Sequence, residues 1–160
     1  MTMPRADLSR KPLPITLNRE TFVPSYLSLV AHAHTSGGSR AYSEKFGVSS
    51  PDFAILSTLS NHPGVVASEI SVIVALDKSV VSRRLQRLMA RDLVAAELDA
   101  GQRRLYLTGE GVHVHNRVLP IALEREQLLL AGLSDDEVIL LRSLLRRMYE
   151  NIPEMNATEQ

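Results

Sequence analysis

The sequence predicts a mainly α chain that carries one small β-hairpin. Three observations carry that prediction. Apolar residues recur three or four apart through most of the chain, the period of an amphipathic helix. Only between Leu93 and Thr108 does the pattern turn extended, with apolar runs on either side of the turn word Asp99-Ala100-Gly101-Gln102. A chain of 160 residues, 44% hydrophobic and 22% charged, is long enough for one sizeable core and too apolar for a disordered protein.

Residues 1–20 hold Pro4, Pro12 and Pro14 among Arg5, Arg10, Lys11 and Arg19. Proline at that density denies helix, so this segment is expected to be a mobile or loosely docked arm. From Phe22 the period becomes helical: Phe22, Tyr26, Leu29, Val30, Ala33, Gly37 and Ala41 share a face. The Gly37-Gly38 pair either weakens this helix or lets something approach it closely. Ser50-Pro51-Asp52 reads as a helix start, with Ser as N-cap, Pro at the first helical position and an acid in the first turn. That helix continues through Phe53, Ile55, Leu56 and Leu59 and stops at Pro63-Gly64.

A second short helix is predicted from about Ala67 to Ala75, with Ile70 and Val74 buried. Asp77 is placed as the next N-cap, and Val81, Leu85 and Leu88 form the buried stripe of a third helix. The hairpin follows, and Gly109 and Gly111 punctuate its exit. Glu110 to about Leu130 reads as one helix in which Pro120 is placed to kink. Ser134-Asp135-Asp136-Glu137 is a capping box before Val138, Leu141, Leu145 and Met148. The final NIPEMNATEQ is expected to fray.

Composition removes several function classes. The chain has no Cys, hence no disulfide, thiolate metal site or Cys nucleophile, which suits a reducing cytoplasm. With 4% aromatic residues and no Trp it offers no stacking platform for single-stranded nucleic acid. No apolar run approaches the roughly 20 residues needed to span a bilayer, and the opening MTMPRADLSRKPLP lacks the apolar core of a secretory signal. A soluble cytoplasmic protein without a membrane partner is expected. There is no G-x-S-x-G, phosphate-cradling Gly loop or H-E-x-x-H, so no catalytic residue and no cofactor is predicted.

Charge is the informative feature. The chain is neutral, with 18 Lys and Arg against 18 Asp and Glu, yet DKSVVSRRLQRLMAR (Asp77–Arg91) holds five basic residues and one acid. Residues 77–104 carry seven basic residues (78, 83, 84, 87, 91, 103, 104) against four acids (77, 92, 97, 99). Once its buried stripe is removed, the third helix leaves Lys78, Ser79, Val80, Ser82, Arg83, Gln86 and Arg87 facing outward. Ser, Arg and Gln are donors to base edges in the major groove, and Lys and Arg also neutralise phosphates. A short helix, a tight turn and such a second helix make a helix-turn-helix, and an uneven charge distribution in a neutral chain is an electrostatic footprint. Arginine-rich helix faces taken alone are usually only solvated. Here the helix pair, the turn and the basic hairpin stand beside it.

The words FGVSSPDFAILSTLSNHPG, SEI, LDKSVVSRRLQRLMARDLV and RRLYLTGEG resemble, in order and near spacing, the multiple-antibiotic-resistance regulator (MarR) family of winged helix-turn-helix proteins. The likeness runs from about Ala41 to Gly111. It implies a winged helix-turn-helix lobe over 48–109, flanked by N- and C-terminal dimerisation helices over 21–47 and 110–152. It also implies a homodimer on a pseudo-palindromic double-stranded DNA operator. By position, Ser79, Val80, Ser82 and Arg83 fall where the family reads bases, and Lys78, Gln86 and Arg87 where it supports them or meets backbone.

Two departures from the family stand out. The wing usually carries an Asp-x-Arg or Asp-Arg-Arg word, and here Asp99-Ala100-Gly101-Gln102-Arg103-Arg104 stands instead. Either Gly101 replaces the wing arginine or the turn is shifted and Arg103 substitutes. The QRRLYLT spacing fits the first, which leaves Arg103 and Arg104 to phosphate or fold roles and makes Gly101→Arg an expected gain in DNA affinity. Second, Val66 stands where a Ser or Thr commonly caps the short helix. Val72 and Ile73 are expected either to face another surface, such as the N-terminal arm, or simply to be an apolar exposed patch.

The resemblance further implies a repressor released by a small molecule, an aromatic acid or its coenzyme A thioester being the guess. His32, His34, Ser36, Arg40 and Tyr42 on the first long helix and His113 and Asn116 on the fifth are the candidate effector contacts. Arg40 offers bidentate geometry to a carboxylate, or pairs with Glu44 one turn on. His32-Ala-His34 and His113-Val-His115 raise a metal reading, but residues i and i+2 on a helix face different ways, so neither pair chelates alone and no metal ligand is predicted. The alternatives to a DNA-binding regulator are a winged-helix module that binds protein and a metal-responsive regulator.

Overall fold

The computed structural model describes residues 10–157. The elements run α1 (Val23–Phe46), α2 (Ser50–Asn61), α3 (Ala67–Ile73), α4 (Lys78–Ala90), β1 (Val94–Asp99), β2 (Gln102–Leu107), α5 (Gly109–Leu129), α6 (Asp135–Glu150) and α7 (Ile152–Ala157). The chain divides after Pro51 into two compact units, and each is described by itself.

In the first unit, α1 starts with Pro24 in its first turn, where a missing N–H costs nothing, and stops at Gly47, whose φ of 65° is left-handed. Close approach, rather than weakness, explains Gly38 of the glycine pair: a Cβ there would meet the Ser50 hydroxyl oxygen. That hydroxyl donates to the Thr35 carbonyl, and the Ser50 N–H donates to the Ser39 hydroxyl oxygen. Ser50 therefore lies inside α2 and does not act as the expected N-cap; its polar groups close the chain back onto α1. Phe22, Tyr26, Leu29 and Val30 remain exposed. The arm called for over 1–20 is non-helical and exposed over residues 10–20; residues 1–9 lie outside the described residues.

In the second unit, Ile55, Leu56 and Leu59 of α2 are buried with Ile70 of α3, Val81, Leu85 and Leu88 of α4, Leu93, Leu105 of β2 and Val118 of α5. The α4 stripe predicted from the i, i+4, i+7 spacing is the one that packs. Ser71, not Val74, accompanies Ile70 in burial, because α3 ends one turn earlier than its apolar run. Asp77 occupies the α4 N-cap position but its side chain makes no capping bond. Only its carbonyl, accepting from Val81, starts the ladder. Val66 cannot cap α3 with a side chain that has no acceptor. Glu69 supplies half a capping box instead, its carboxylate accepting from the Val66 N–H at 3.0 Å.

The hairpin is antiparallel, with Val94 opposite Leu107 and Asp99 opposite Gln102. Gly64 donates to the Leu105 carbonyl and Leu105 donates to that of Val65, so the end of the α2–α3 loop adds a short third rung that the sequence did not announce. α5 begins where the Thr108 hydroxyl accepts from the Gly111 N–H at 2.9 Å, and it runs through Pro120 to Leu129. A Cβ on Gly111 would meet the Leu93 carbonyl oxygen at 1.9 Å.

The α6 capping box forms as expected, Glu137 accepting from the Ser134 N–H at 2.7 Å and Ser134 from the Glu137 N–H at 3.3 Å. No residue of α6 is buried, and Leu128, Leu129, Leu133, Leu140, Leu144 and Leu145 stand exposed. The expectation that the C-terminus frays is corrected through Ala157. Pro153 sits in the first turn of α7, where it is tolerated, and Met155 donates to the Asn151 carbonyl at 3.0 Å. Residues 158–160 lie outside the described residues.

Two outcomes test this packing. Gly111→Ala must push α5 from β1 and is expected to destabilise the protein by about 1–3 kcal/mol or more, the cost of overpacking, read as a lowered Tm by circular dichroism. The hydrogen bonds from the Ser134 N–H and hydroxyl hold the Glu137 carboxyl below its ordinary range. A depressed carboxyl stabilises the fold above its unfolded value, and that contribution is lost as pH falls through the folded one. The Tm advantage of the native protein over Glu137→Gln should therefore be largest at neutral pH and vanish in acid.

Candidate nucleic-acid interface

The helix pair α3 and α4 is joined by a tight turn in which Ala75 takes a left-handed φ of 52° and Leu76 donates to the Ser71 carbonyl. With Val81, Leu85 and Leu88 facing the core, α4 presents Lys78, Ser79, Ser82, Arg83, Gln86 and Arg87 exposed and Val80 half-exposed. Arg83 lies along its own helix, Nε donating to the Ser79 carbonyl at 3.3 Å, and its exposed guanidinium can extend outward at little cost.

Beneath this face lies a residue the sequence reading placed only as a helix-start acid. Asp52 of α2 is 1% exposed. Its Oδ1 accepts from Arg84 Nη1 at 2.9 Å and its Oδ2 stands 3.6 Å from Arg87 Nη2. A carboxylate is driven out of water only where opposite charge and hydrogen bonds compensate it, and here two guanidinium groups and the N-terminal turn of α2 do so. The signal was legible: residues 52, 55, 56 and 59 follow the helical period, so Asp52 falls on the core stripe of α2. Breaking such a pair costs about 3–5 kcal/mol when both partners are buried, and less here because Arg84 is partly exposed.

The wing turn places Ala100 at φ 48° and Gly101 at φ 79°, both left-handed, the conformation of a two-residue hairpin loop. Arg104 donates from Nε to Asp99 Oδ2 at 2.7 Å and from Nη1 to the Gly64 carbonyl at 3.1 Å. Of the two roles allowed to it, the fold role is the one its contacts describe. Arg103 is exposed, with Nη2 3.2 Å from the Met89 sulfur on α4. Between α3, α4 and β2 runs a groove of about 420 Å³ whose lining includes Ser68, Ser82, Gln86, Gln102 and Arg103.

On α1, His32, His34 and Arg40 are exposed, Ser36 donates to the His32 carbonyl at 2.7 Å, and Tyr42 is buried. No ion pair joins Arg40 to Glu44 among the described residues. On α5, His113 and Asn116 are exposed. His115 is buried, stacked on Phe53 at 5.6 Å between ring centroids, with Nε2 3.3 Å from the Ser60 hydroxyl and Nδ1 3.1 Å from Asn116 Oδ1. Asn116, an effector candidate, thus also fixes a core histidine. Among the described residues no three His, Asp or Glu side chains gather as a metal site would require, and no helix is long and apolar enough to cross a membrane.

The model of the MarR family matches residues 46–105, which hold the whole helix-turn-helix and most of the hairpin. Over that lobe the chain is similar to the MarR family. A MarR/EmrR family transcriptional regulator from Acinetobacter sp. ADP1 superposes with a TM-score of 0.82 at 26% identity, over 86% of this chain and 99% of that one. The PcaV transcriptional regulator from Streptomyces coelicolor, solved in complex with its natural ligand, gives 0.73 at 25% identity over 85% and 97%. The HTH-type transcriptional repressor NicR of Pseudomonas putida is 28% identical over 107 residues, 65% of this chain and 68% of its own. The fold is accordingly the winged-helix fold of MarR-family transcriptional regulators.

The left-handed φ of Gly101 changes what an added wing arginine should do. Any side chain there costs about 1–2 kcal/mol of backbone strain, so Gly101→Arg is expected to lower the Tm and to offset any new DNA contact. Gln102→Arg, on β2 and beside the groove, should raise DNA affinity without that loss. Calorimetric Tm and duplex titration of the two variants check this.

Proposed function

We propose that this protein is a MarR-family transcriptional regulator, a cytoplasmic homodimeric repressor that binds a pseudo-palindromic double-stranded operator and is released by a small-molecule effector. The observation that carries the proposal is the exposed face of α4. Lys78, Ser79, Val80, Ser82, Arg83, Gln86 and Arg87 line one side of a helix whose other side is locked into the core. Ser79, Val80, Ser82 and Arg83, on its N-terminal half, are the base readers; Lys78, Gln86, Arg87 and Arg103 meet the sugar-phosphate backbone. Arg104 serves the wing from within.

Dimerisation is supported by the apolar side chains that α1, α5 and α6 leave exposed in the single chain, Leu140, Leu144 and Leu145 among them. Apolar side chains left exposed along a helix in this number are the mark of an interface. Two recognition helices related by a dyad would read half-sites about 10 base pairs apart.

An effector is supported by likeness: the similar PcaV was solved with its natural ligand, and the similar NicR is a repressor. The class we propose is an aromatic acid or its coenzyme A thioester. Arg40 would hold the carboxylate bidentately, with His32, Ser36 and Tyr42 of α1 and His113 and Asn116 of α5 as further candidate contacts. Such a ligand acts by binding one of two dimer shapes more tightly than the other.

The test is binding of the purified protein to the DNA immediately upstream of its own gene, with a scrambled duplex as control, at two salt concentrations. Selective binding that weakens steeply with salt is expected, because neutralised phosphates release counterions. Salt-insensitive or absent binding of ligand-stripped protein would favour a protein-interaction module instead. On the same fragment Arg83→Ala should cost about 1–3 kcal/mol, and an unchanged Kd would remove Arg83 from the base readers.

A further inference from the structure

We propose that Asp52 is a positioning residue for DNA recognition, which acts by dividing the arginines of α4 between the fold and the phosphate backbone. The inference rests on the DNA-binding reading and deepens it.

Arg84 and Arg87 stand one turn apart on α4, and the two oxygens of one buried carboxylate face them. The division is unequal. Arg84 approaches to 2.9 Å with a side chain 25% exposed, so its charge is committed to the lobe. Arg87 stands at 3.6 Å with a side chain 65% exposed. A guanidinium has five N–H donors in a rigid fork. The 3.6 Å approach of one Arg87 nitrogen to Asp52 leaves its other donors open to solvent and draws the exposed guanidinium toward that side of α4.

Two consequences follow for a helix that must tell one duplex from another. A phosphate is met in one orientation, which suits the register set by base contacts and penalises others. The carboxylate also offsets part of the positive charge of α4, and that charge would otherwise strengthen attachment to any duplex. Asp52 touches no DNA in this account. It raises selectivity by restraining an arginine.

The experiment compares the full-length native protein with Asp52→Asn and Arg87→Lys. Each is titrated with the operator fragment and with the scrambled duplex over a range of salt, folding being checked by circular dichroism. Asp52→Asn is expected to bind the scrambled duplex more tightly, with a salt slope steeper by about one counterion. Its operator binding should weaken, so that selectivity falls by about fivefold or more. A purely structural role would lower both affinities together, and that outcome overturns the proposal.

Arg87→Lys, at an exposed position, keeps the charge and loses the fork. It should keep the salt slope and lose selectivity, and it carries the test alone if Asp52→Asn does not fold. Native selectivity in Arg87→Lys overturns the proposal. A native protein that binds neither duplex removes the DNA-binding reading and this inference with it; selective native binding with an unchanged ratio in the variants removes the inference alone.

Discussion

The seating of α4 on the rest of its lobe is the constraint from which the other features follow. Two kinds of force hold it. Val81, Leu85 and Leu88 bury an apolar stripe, which fixes depth and tilt but tolerates small rotations about the helix axis. The Asp52–Arg84 ion pair fixes rotation, because a hydrogen-bonded pair at 2.9 Å has direction where dispersion has little. The base-reading role proposed for this helix needs both, since a turn of a few tens of degrees would exchange one exposed set for another. The cost of removing Asp52 from water is offset by two cations, Arg84 within the lobe and Arg87 on the exposed face.

The wing is held to this platform by groups spent entirely within the chain. Arg104 ties Asp99 at the hairpin tip to the Gly64 carbonyl at the far end of the α2–α3 loop, and backbone bonds between Leu105 and Gly64–Val65 lie beside it. Gly111 lets α5 begin directly against the Leu93 carbonyl, where any Cβ would separate them. Hairpin, loop and helix start therefore move as one piece. The arginine next in line, Arg103, is left at the groove between wing and α4.

Charge and apolar surface are segregated along the chain. The basic residues cluster over 77–104 while the chain as a whole is neutral, and α6 buries nothing of its own although Leu140, Leu141, Leu144 and Leu145 recur along it. The proposed homodimer, with recognition helices on a polyanion and terminal helices against each other, would need this separation, because like charge on the second surface would oppose its closing.

The sequence by itself determined the element order, the buried stripe of α4, the hairpin and its turn, and the α6 capping box. Each of these is written in local periodicity or in residues a few positions apart, and local rules read such patterns directly. The resemblance to the MarR family was legible for the same reason, since its words are contiguous. Tertiary structure alone decided what depends on distant partners. Ser50, an N-cap by its neighbours, is claimed by Thr35 and Ser39, and Asp52, a dipole acid by its position, is claimed by Arg84 and Arg87, more than thirty residues on. For Arg104 the sequence allowed a phosphate or a fold role, and its contacts with Asp99 and the Gly64 carbonyl describe the second. A side chain's periodicity tells which face it occupies. Only the fold tells which group across that face competes for its hydrogen bonds, and that competition separates the arginines that hold this protein together from those left for its partner.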